Sequence, residues 1–309
     1  MKCEWVEFIL YLYMLRTGLK LCIIGSIVMV MSLMNYRSPI FYFSSRSTRM
    51  MSGKSYAIPS GLCAIYKPKG RSSNDIVQQV KSIIQRKFEL PRKKSGVKVG
   101  HGGTLDPMAE GVLVLGLGSG TKLLTNFLSG SKGYRAVATL GIATDTLDIT
   151  GTVSERRDCS NITHADLEKV LPSFRGDIEQ MPPMYSALNL NGKRLYDLAR
   201  KGIEVERKAR AITIFRLDLL TDRPPPEFVL DVECGGGTYI RSLIDDISKQ
   251  AGGIGCMTEL VRTKQSIFTL QDCIKECDWT YENIMEHTDK CNKLAEVPLE
   301  FTSKKLPVR

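Results

Sequence analysis

Gly100-His101-Gly102-Gly103-Thr104-Leu105-Asp106-Pro107-Met108-Ala109-Glu110-Gly111 is the densest cluster of chemically distinctive residues in this 309-residue chain. Glycine at three of the first four positions permits backbone angles closed to other residues and lets a partner approach the main chain. Asp106 precedes Pro107, whose ring disfavours the helical region for the residue before it. The pattern therefore presents an acid on a glycine-rich loop instead of packing it in a core. A lone Asp-Pro is more often an ordinary turn or cap, so this acid gains meaning only from its surroundings.

Working outward, residues 112–115 are a short apolar run between glycines, and residues 62–66 read as a buried strand. Pro68 and Gly70 punctuate a loop, and Ser72, Ser73 and Asn74 supply capping groups for a helix with Ile76, Val77, Val80, Ile83 and Ile84 on one face. Residues 116–122 look like a phosphate loop at a glance but fit neither common glycine pattern, and read as a turn into a helix. Downstream, 134–140 reads as a strand, 163–174 and 194–201 as helices, and 211–221 and 227–234 as two strands. In the last of these, Phe228, Leu230, Val232 and Cys234 fall on one face and Asp231 and Glu233 on the other. Residues 238–250 form an amphipathic helical pattern. Strands and helices intermix without a strict βαβ rhythm, which predicts an α+β fold.

The net charge of +10 suggests a polyanionic partner or an anionic membrane surface. Residues 86–98 carry six basic residues and one acid, and 191–210 carry seven basic residues and three acids. Nine cysteines without a CxxC spacing favour free thiols and a reducing compartment. Cys273 and Cys277 are only a weak metal signal, and His101, His164 and His287 are too few for a His-rich metal centre.

Residues 1–54 are set apart as a leader. Their apolar run, 8–34, is broken by Arg16 and Lys20, and the uncharged stretch 21–36 is shorter than the ~20 residues of a spanning helix. A Ser/Arg-rich, acid-free stretch, 35–49, follows. A membrane anchor, a targeting segment and a translated leader ahead of a later start such as Met50 all fit. Residues 276–309 are charged, weakly periodic, and read as a tail.

Taken with four further segments in order, residues 100–111 resemble the catalytic motif of TruB-type pseudouridine synthases, G-H-x-G-x-L-D-P-x-A-x-G. Tyr66-Lys67-Pro68-Lys69-Gly70-Arg71-Ser72-Ser73 is similar to the family's early loop. Lys132-Gly133-Tyr134, with 140–148, resembles its K-x-Y strand and T-D-T-x-D turn. Pro182-Pro183-Met184-Tyr185-Ser186-Ala187, with 192–202, and Gly237-Thr238-Tyr239-Ile240-Arg241 resemble two more motifs. Gly102 departs from a usual Thr, and Asn189 from a common Lys.

The resemblance implies a pseudouridine-synthase catalytic fold over residues 55–275, with a mixed, mostly antiparallel central sheet flanked by helices, and no room for the PUA domain of many members. It implies no cofactor and no metal. Asp106, Tyr134 and Arg241 would be catalytic: Asp106 as nucleophile or charge partner, Arg241 as the guanidinium facing it, Tyr134 as stacking and proton-relaying phenol. Lys67, His101, Tyr239 and Leu260 would bind the flipped base, and Lys93, Lys94, Lys193 and Arg194 the RNA backbone. The implied substrate is the T-loop uridine 55 of tRNA, with mRNA hairpins that mimic it. A monomer would act without guide RNA or an obligate protein partner, in the nucleus or cytosol with a possible mitochondrial form. A non-catalytic RNA-binding protein on the same scaffold, and a membrane protein anchored by 8–34, are the competing readings.

Overall fold

The computed structural model describes residues 48–51, 54–57, 60–90, 97–190 and 192–296. A hairpin of β1 (Thr48–Met51) and β2 (Lys54–Ala57) comes first. It is followed by β3 (Gly61–Lys67), α1 (Ser73–Lys87), β4 (Val99–His101), β5 (Glu110–Leu117) and α2 (Leu124–Ser129). The middle of the chain forms β6 (Lys132–Leu140), a small hairpin of β7 (Ile142–Thr144) and β8 (Val153–Arg156), α3 (His164–Val170) and β9 (Gly176–Gln180). Next come the two-residue strands β10 (Asn189–Leu190) and β11 (Lys193–Arg194), then α4 (Leu195–Ala199), β12 (Arg210–Leu220) and β13 (Glu227–Cys234). The last elements are α5 (Ile240–Gln250), β14 (Gly255–Gln265), β15 (Phe268–Thr269) and α6 (Tyr281–Ala295).

The central sheet runs β3-β5-β14-β6-β13-β12-β9, with β4 beside β5 and β15 beside β14. Among the described residues only its β5–β14 pairing is parallel. This is the mixed, mostly antiparallel α+β sheet expected. The run 112–115 lacks alternation because β5 is covered on both faces. Leu113 and Leu115 pack with Ile76, Val80 and Ile84 of α1, whereas Val112 and Val114 pack with Leu124, Phe127 and Phe268. By contrast, β13 alternates because only one of its faces meets α3 and α5, through Phe228, Leu230 and Val232. Its other face carries ion pairs, among them Arg216 to Asp231 at 3.0 Å.

Helix starts follow the capping residues. Ser72 and Asp75 form a reciprocal capping box at α1, as do Thr163 and Asp166 at α3. Three boundaries differ from the sequence expectation. The hairpin β1–β2 straddles residue 54, so part of the segment set apart as a leader forms strand. The sequence pattern predicts no strand over β14, which lies in the middle of the sheet. Two bulges and the polar residues Thr258, Glu259, Arg262 and Lys264 hide its alternation. The segment read as a tail carries α6, whose Ile284 and Cys291 enter the core and whose Asn292 accepts the Leu62 N–H at 2.9 Å. Residues 8–34 lie outside the described residues, among which no helix is long and apolar enough to cross a membrane.

Candidate active site

The glycine-rich loop between β4 and β5 is pinned from below by three buried groups. Ser73, the first residue of α1, accepts the Leu105 N–H at 2.8 Å and donates to the Leu105 carbonyl at 3.0 Å. Lys67, at the end of β3 and 0% exposed, donates to the carbonyls of Ala109 at 2.6 Å and Pro107 at 3.4 Å. Arg262 of β14, also 0% exposed, reaches the carbonyls of Val112 at 2.7 Å, Gly103 at 3.2 Å and Thr104 at 3.3 Å. Gly70 donates to the Pro107 carbonyl at 2.7 Å, which ties the early loop to the same turn. Buried carbonyls left unpaired are costly, so these contacts fix the loop's path.

On this support Asp106 meets Arg241. The guanidinium Nε lies 2.9 Å from Asp106 Oδ2; the Arg241 side chain is 6% exposed and the Asp106 side chain 33%. The remaining nitrogens are occupied: Nη1 donates to the Thr146 carbonyl at 2.8 Å and Nη2 to the Tyr185 carbonyl at 2.8 Å. Asp148 Oδ2 stands 3.5 Å from Nη1, and its other oxygen accepts from Thr146 and Thr150. Arg241 is thus clamped between the turn 144–150 and the segment around Tyr185, with one edge turned to Asp106. The expected acid–guanidinium pair is present, and its acid is the partner with open surface.

Tyr134 is buried at 6% exposure in β6, beside Arg262 of β14. Burial pushes its phenol up, with Arg262 opposing, so at neutral pH it is protonated. Leu260, also on β14, is buried in the same core. Tyr239 caps α5 and is half-buried; its main chain is held by Gln180, which accepts the Tyr239 N–H at 2.8 Å. Burial raises the Tyr239 phenol, Ser186 counteracts this, and Asp106 is close enough to add to the rise. His101 accepts the Gly103 N–H at 3.4 Å through Nδ1; burial, then Arg262 and Arg194, lower its pKa and keep the ring neutral.

Lys67 is the residue placed differently from expectation. Its ammonium is enclosed by loop carbonyls and does not face open space, so it holds the loop that presents Asp106. Burial lowers its pKa to about 8, with Asp106 acting the other way. Arg262 and Ser73 were not singled out for this role from the sequence. An arginine directly after the apolar pair Leu260-Val261 was the available signal for the first, and a second serine after the cap for the second. Lys193 and Arg194 are exposed on β11, Arg194 lying 5.9 Å from the Tyr196 ring centre. Lys93 and Lys94 lie outside the described residues. Among the described residues no three His, Cys, Asp or Glu side chains gather as a metal set, and Cys273 and Cys277 are free thiols.

A carboxylate on a braced loop faces a buried arginine, with the phenols of Tyr134 and Tyr239 near enough to feel its charge. Residues 87–240 match the model of the TruB family pseudouridylate synthase N-terminal domain. Pseudouridylate synthase TRUB1 of Mus musculus is 48% identical over 80% of this chain and 75% of its own length. tRNA pseudouridine synthase B of Clostridium tetani is 44% identical over 74% of this chain and 75% of its own length. In a solved Cbf5-Nop10-Gar1 complex, one chain superposes with a TM-score of 0.55 and 27% identity, over 75% of this chain and 59% of that one. The chain belongs to the TruB family of pseudouridine synthases, and its reaction is the isomerisation of uridine to pseudouridine in RNA.

Proposed function

We propose that this enzyme converts the T-loop uridine 55 of tRNA, and hairpins of mRNA that mimic that loop, acting alone as a monomer without guide RNA or cofactor. The observation that carries the reading is the Asp106–Arg241 pair at 2.9 Å, with a third of the Asp106 side chain open to a partner. The relative named for tRNA modification supports the choice of RNA. The target nucleotide leaves its stack to reach this site. The N1–C1′ bond breaks, uracil rotates, and C5 bonds to C1′; C5 loses a proton and N1 gains one, so nothing is oxidised or reduced. Asp106 adds to the ribose or to the base, or stabilises charge between them. Arg241 pairs with and orients its carboxylate, and Tyr134 stacks and relays the C5 proton. His101 fills the space left by the flipped base, Tyr239 and Leu260 line the pocket, and Lys93, Lys94, Lys193 and Arg194 meet phosphates.

A T-loop minihelix incubated with the purified chain alone tests this. Pseudouridine at the target uridine is expected; a requirement for guide RNA or a protein partner overturns the reading. We further place the major form in the nucleus or cytosol, starting near Met50, with a longer mitochondrial form. N-terminal sequencing of the endogenous protein checks both, and an intact Met1 on a carbonate-resistant membrane protein overturns them.

A further inference from the structure

The pairing of β5 changes along one edge. Glu110 and Gly111 pair with β14, whereas residues 115–117 pair with β4. Between them the main-chain groups of Val112 and Val114 face no strand, and all of this region is buried. Side chains of β14 fill the gap. Arg262 Nε takes the Val112 carbonyl. Gln265, 0% exposed, accepts the Val114 N–H at 3.1 Å and donates to the Gly102 carbonyl at 2.7 Å, and the Gly102 N–H in turn donates to the Val114 carbonyl. One carboxamide therefore does what a backbone amide of a neighbouring strand would do.

Residues 262 and 265 lie an odd number apart, so on a regular strand they point to opposite faces. A bulge between Arg262 and Lys264 removes the conflict. Arg262 pairs with Tyr134 and Gln265 with Lys132, residues on the same face of β6. Without the extra residue, Lys264 would stand where Gln265 does; instead it goes to the other face and pairs with Glu233 at 2.7 Å. Gly133 makes room, since a Cβ there would lie 2.9 Å from Thr263 Oγ1 and 3.0 Å from Lys264 Cβ. Gly102 does the same opposite, where a Cβ would lie 2.7 Å from Phe127 Cβ and 3.4 Å from the Gln265 amide. The glycine that departs from the family's usual threonine is thus the one Gln265 holds. Bulges beside active sites re-aim side chains in this way.

We infer that Gln265 is a positioning residue for the pseudouridine reaction: placed by the bulge at Thr263, it clasps the glycine-rich loop to β5 and so sets where Asp106 stands. This rests on the catalytic assignment above. Gln265 acts through the loop, so its loss should lower the chemical rate and leave RNA affinity alone. The test is single-turnover conversion of a T-loop minihelix, with binding of the same RNA measured separately, for wild type, Gln265→Met and Gln265→Glu.

Gln265→Met keeps the length but pairs neither backbone group; a rate loss of about tenfold or more is expected, with Kd within about twofold. Gln265→Glu still accepts from Val114, but its ionised form cannot donate to Gly102, whereas its protonated form can. Its rate relative to wild type should therefore rise as pH falls from neutral towards 5.5. A folded Gln265→Met protein with wild-type rate, or one whose loss lies in Kd, overturns the inference. If that variant does not fold, a flat pH ratio for Gln265→Glu overturns it. Absence of conversion by the wild type would instead refute the substrate reading.

Discussion

Asp106 presents one oxygen to Arg241 and keeps a third of its side chain open. Asp106→Asn preserves volume while removing both the charge and the nucleophile. Folding and RNA affinity should be nearly unchanged, and single-turnover pseudouridine formation undetectable; near-normal conversion by the folded variant would refute the assignment. Arg241→Lys retains a cation but cannot hold Asp106 together with the carbonyls of Thr146 and Tyr185. A rate loss of roughly 100-fold is expected in the same assay. Lys67 makes a pH-dependent claim. Its folded pKa is about 8, against 10.5 as its ordinary value. The unfolded chain thus holds this proton more tightly, and the residue's unfavourable contribution to stability is complete below pH 8 and fades as pH rises to 10.5. Activity should move the other way, falling above pH 8 as the ammonium loses its grip on Ala109 and Pro107. Comparing pH profiles of melting and of rate for wild type and Lys67→Met checks both signs. Asp106 and Arg241 were legible because motif chemistry sits in their side chains. The orientation of Lys67 was not, since a sequence shows that a cation exists but not which carbonyls surround it.

Elements were legible where their exposure is simple. β13 is wet on one face, and its period of two shows; α1 carries its own cap and an apolar stripe. β14 and α6 were illegible for different reasons. In β14 the bulges between Met257 and Glu259 and between Arg262 and Lys264 reset which residues face inward. In α6 the buried stripe is Ile284, Thr288 and Cys291, which has helical spacing but only one strongly apolar member. That helix is nonetheless fastened to β3, through Asn292 to the Leu62 N–H and His287 to the Ala64 carbonyl at 2.9 Å. Since β3 ends in Lys67, α6 supports the strand that carries a loop anchor. Ile284 is 0% exposed, so Ile284→Ala should cost about 2–5 kcal/mol of stability. Denaturant unfolding measures this. The folded fraction should keep its conversion rate, because these hydrogen bonds of α6 go to β3 and not to the glycine-rich loop.

Across the whole molecule, catalysis and RNA capture are carried by different kinds of group. Two of the loop anchors, Lys67 and Arg262, are buried cations that donate to the protein's own carbonyls. The cations of β11 are exposed: Lys193 and Arg194 line a cavity of about 390 Å³ together with Asn189, Asp197 and Lys201. A net charge of +10 gives the RNA a favourable approach, but only side chains that displace counterions from phosphates steepen the dependence of affinity on salt. Replacing both Lys193 and Arg194 by Ala should therefore weaken minihelix binding and flatten the plot of log affinity against log salt by about 1.5 units, or roughly 0.7–0.9 for each phosphate no longer neutralised. The single-turnover rate at saturating RNA should stay within about twofold, because neither residue touches the Asp106–Arg241 pair. Lys67→Met should behave oppositely, with the slope kept and the rate reduced. Filter binding between about 50 and 400 mM salt, which spans Debye lengths above and below ~10 Å, separates the two classes. An unchanged slope in the Lys193/Arg194 variant would make that exposed hairpin a solvated surface and move phosphate recognition elsewhere on the chain.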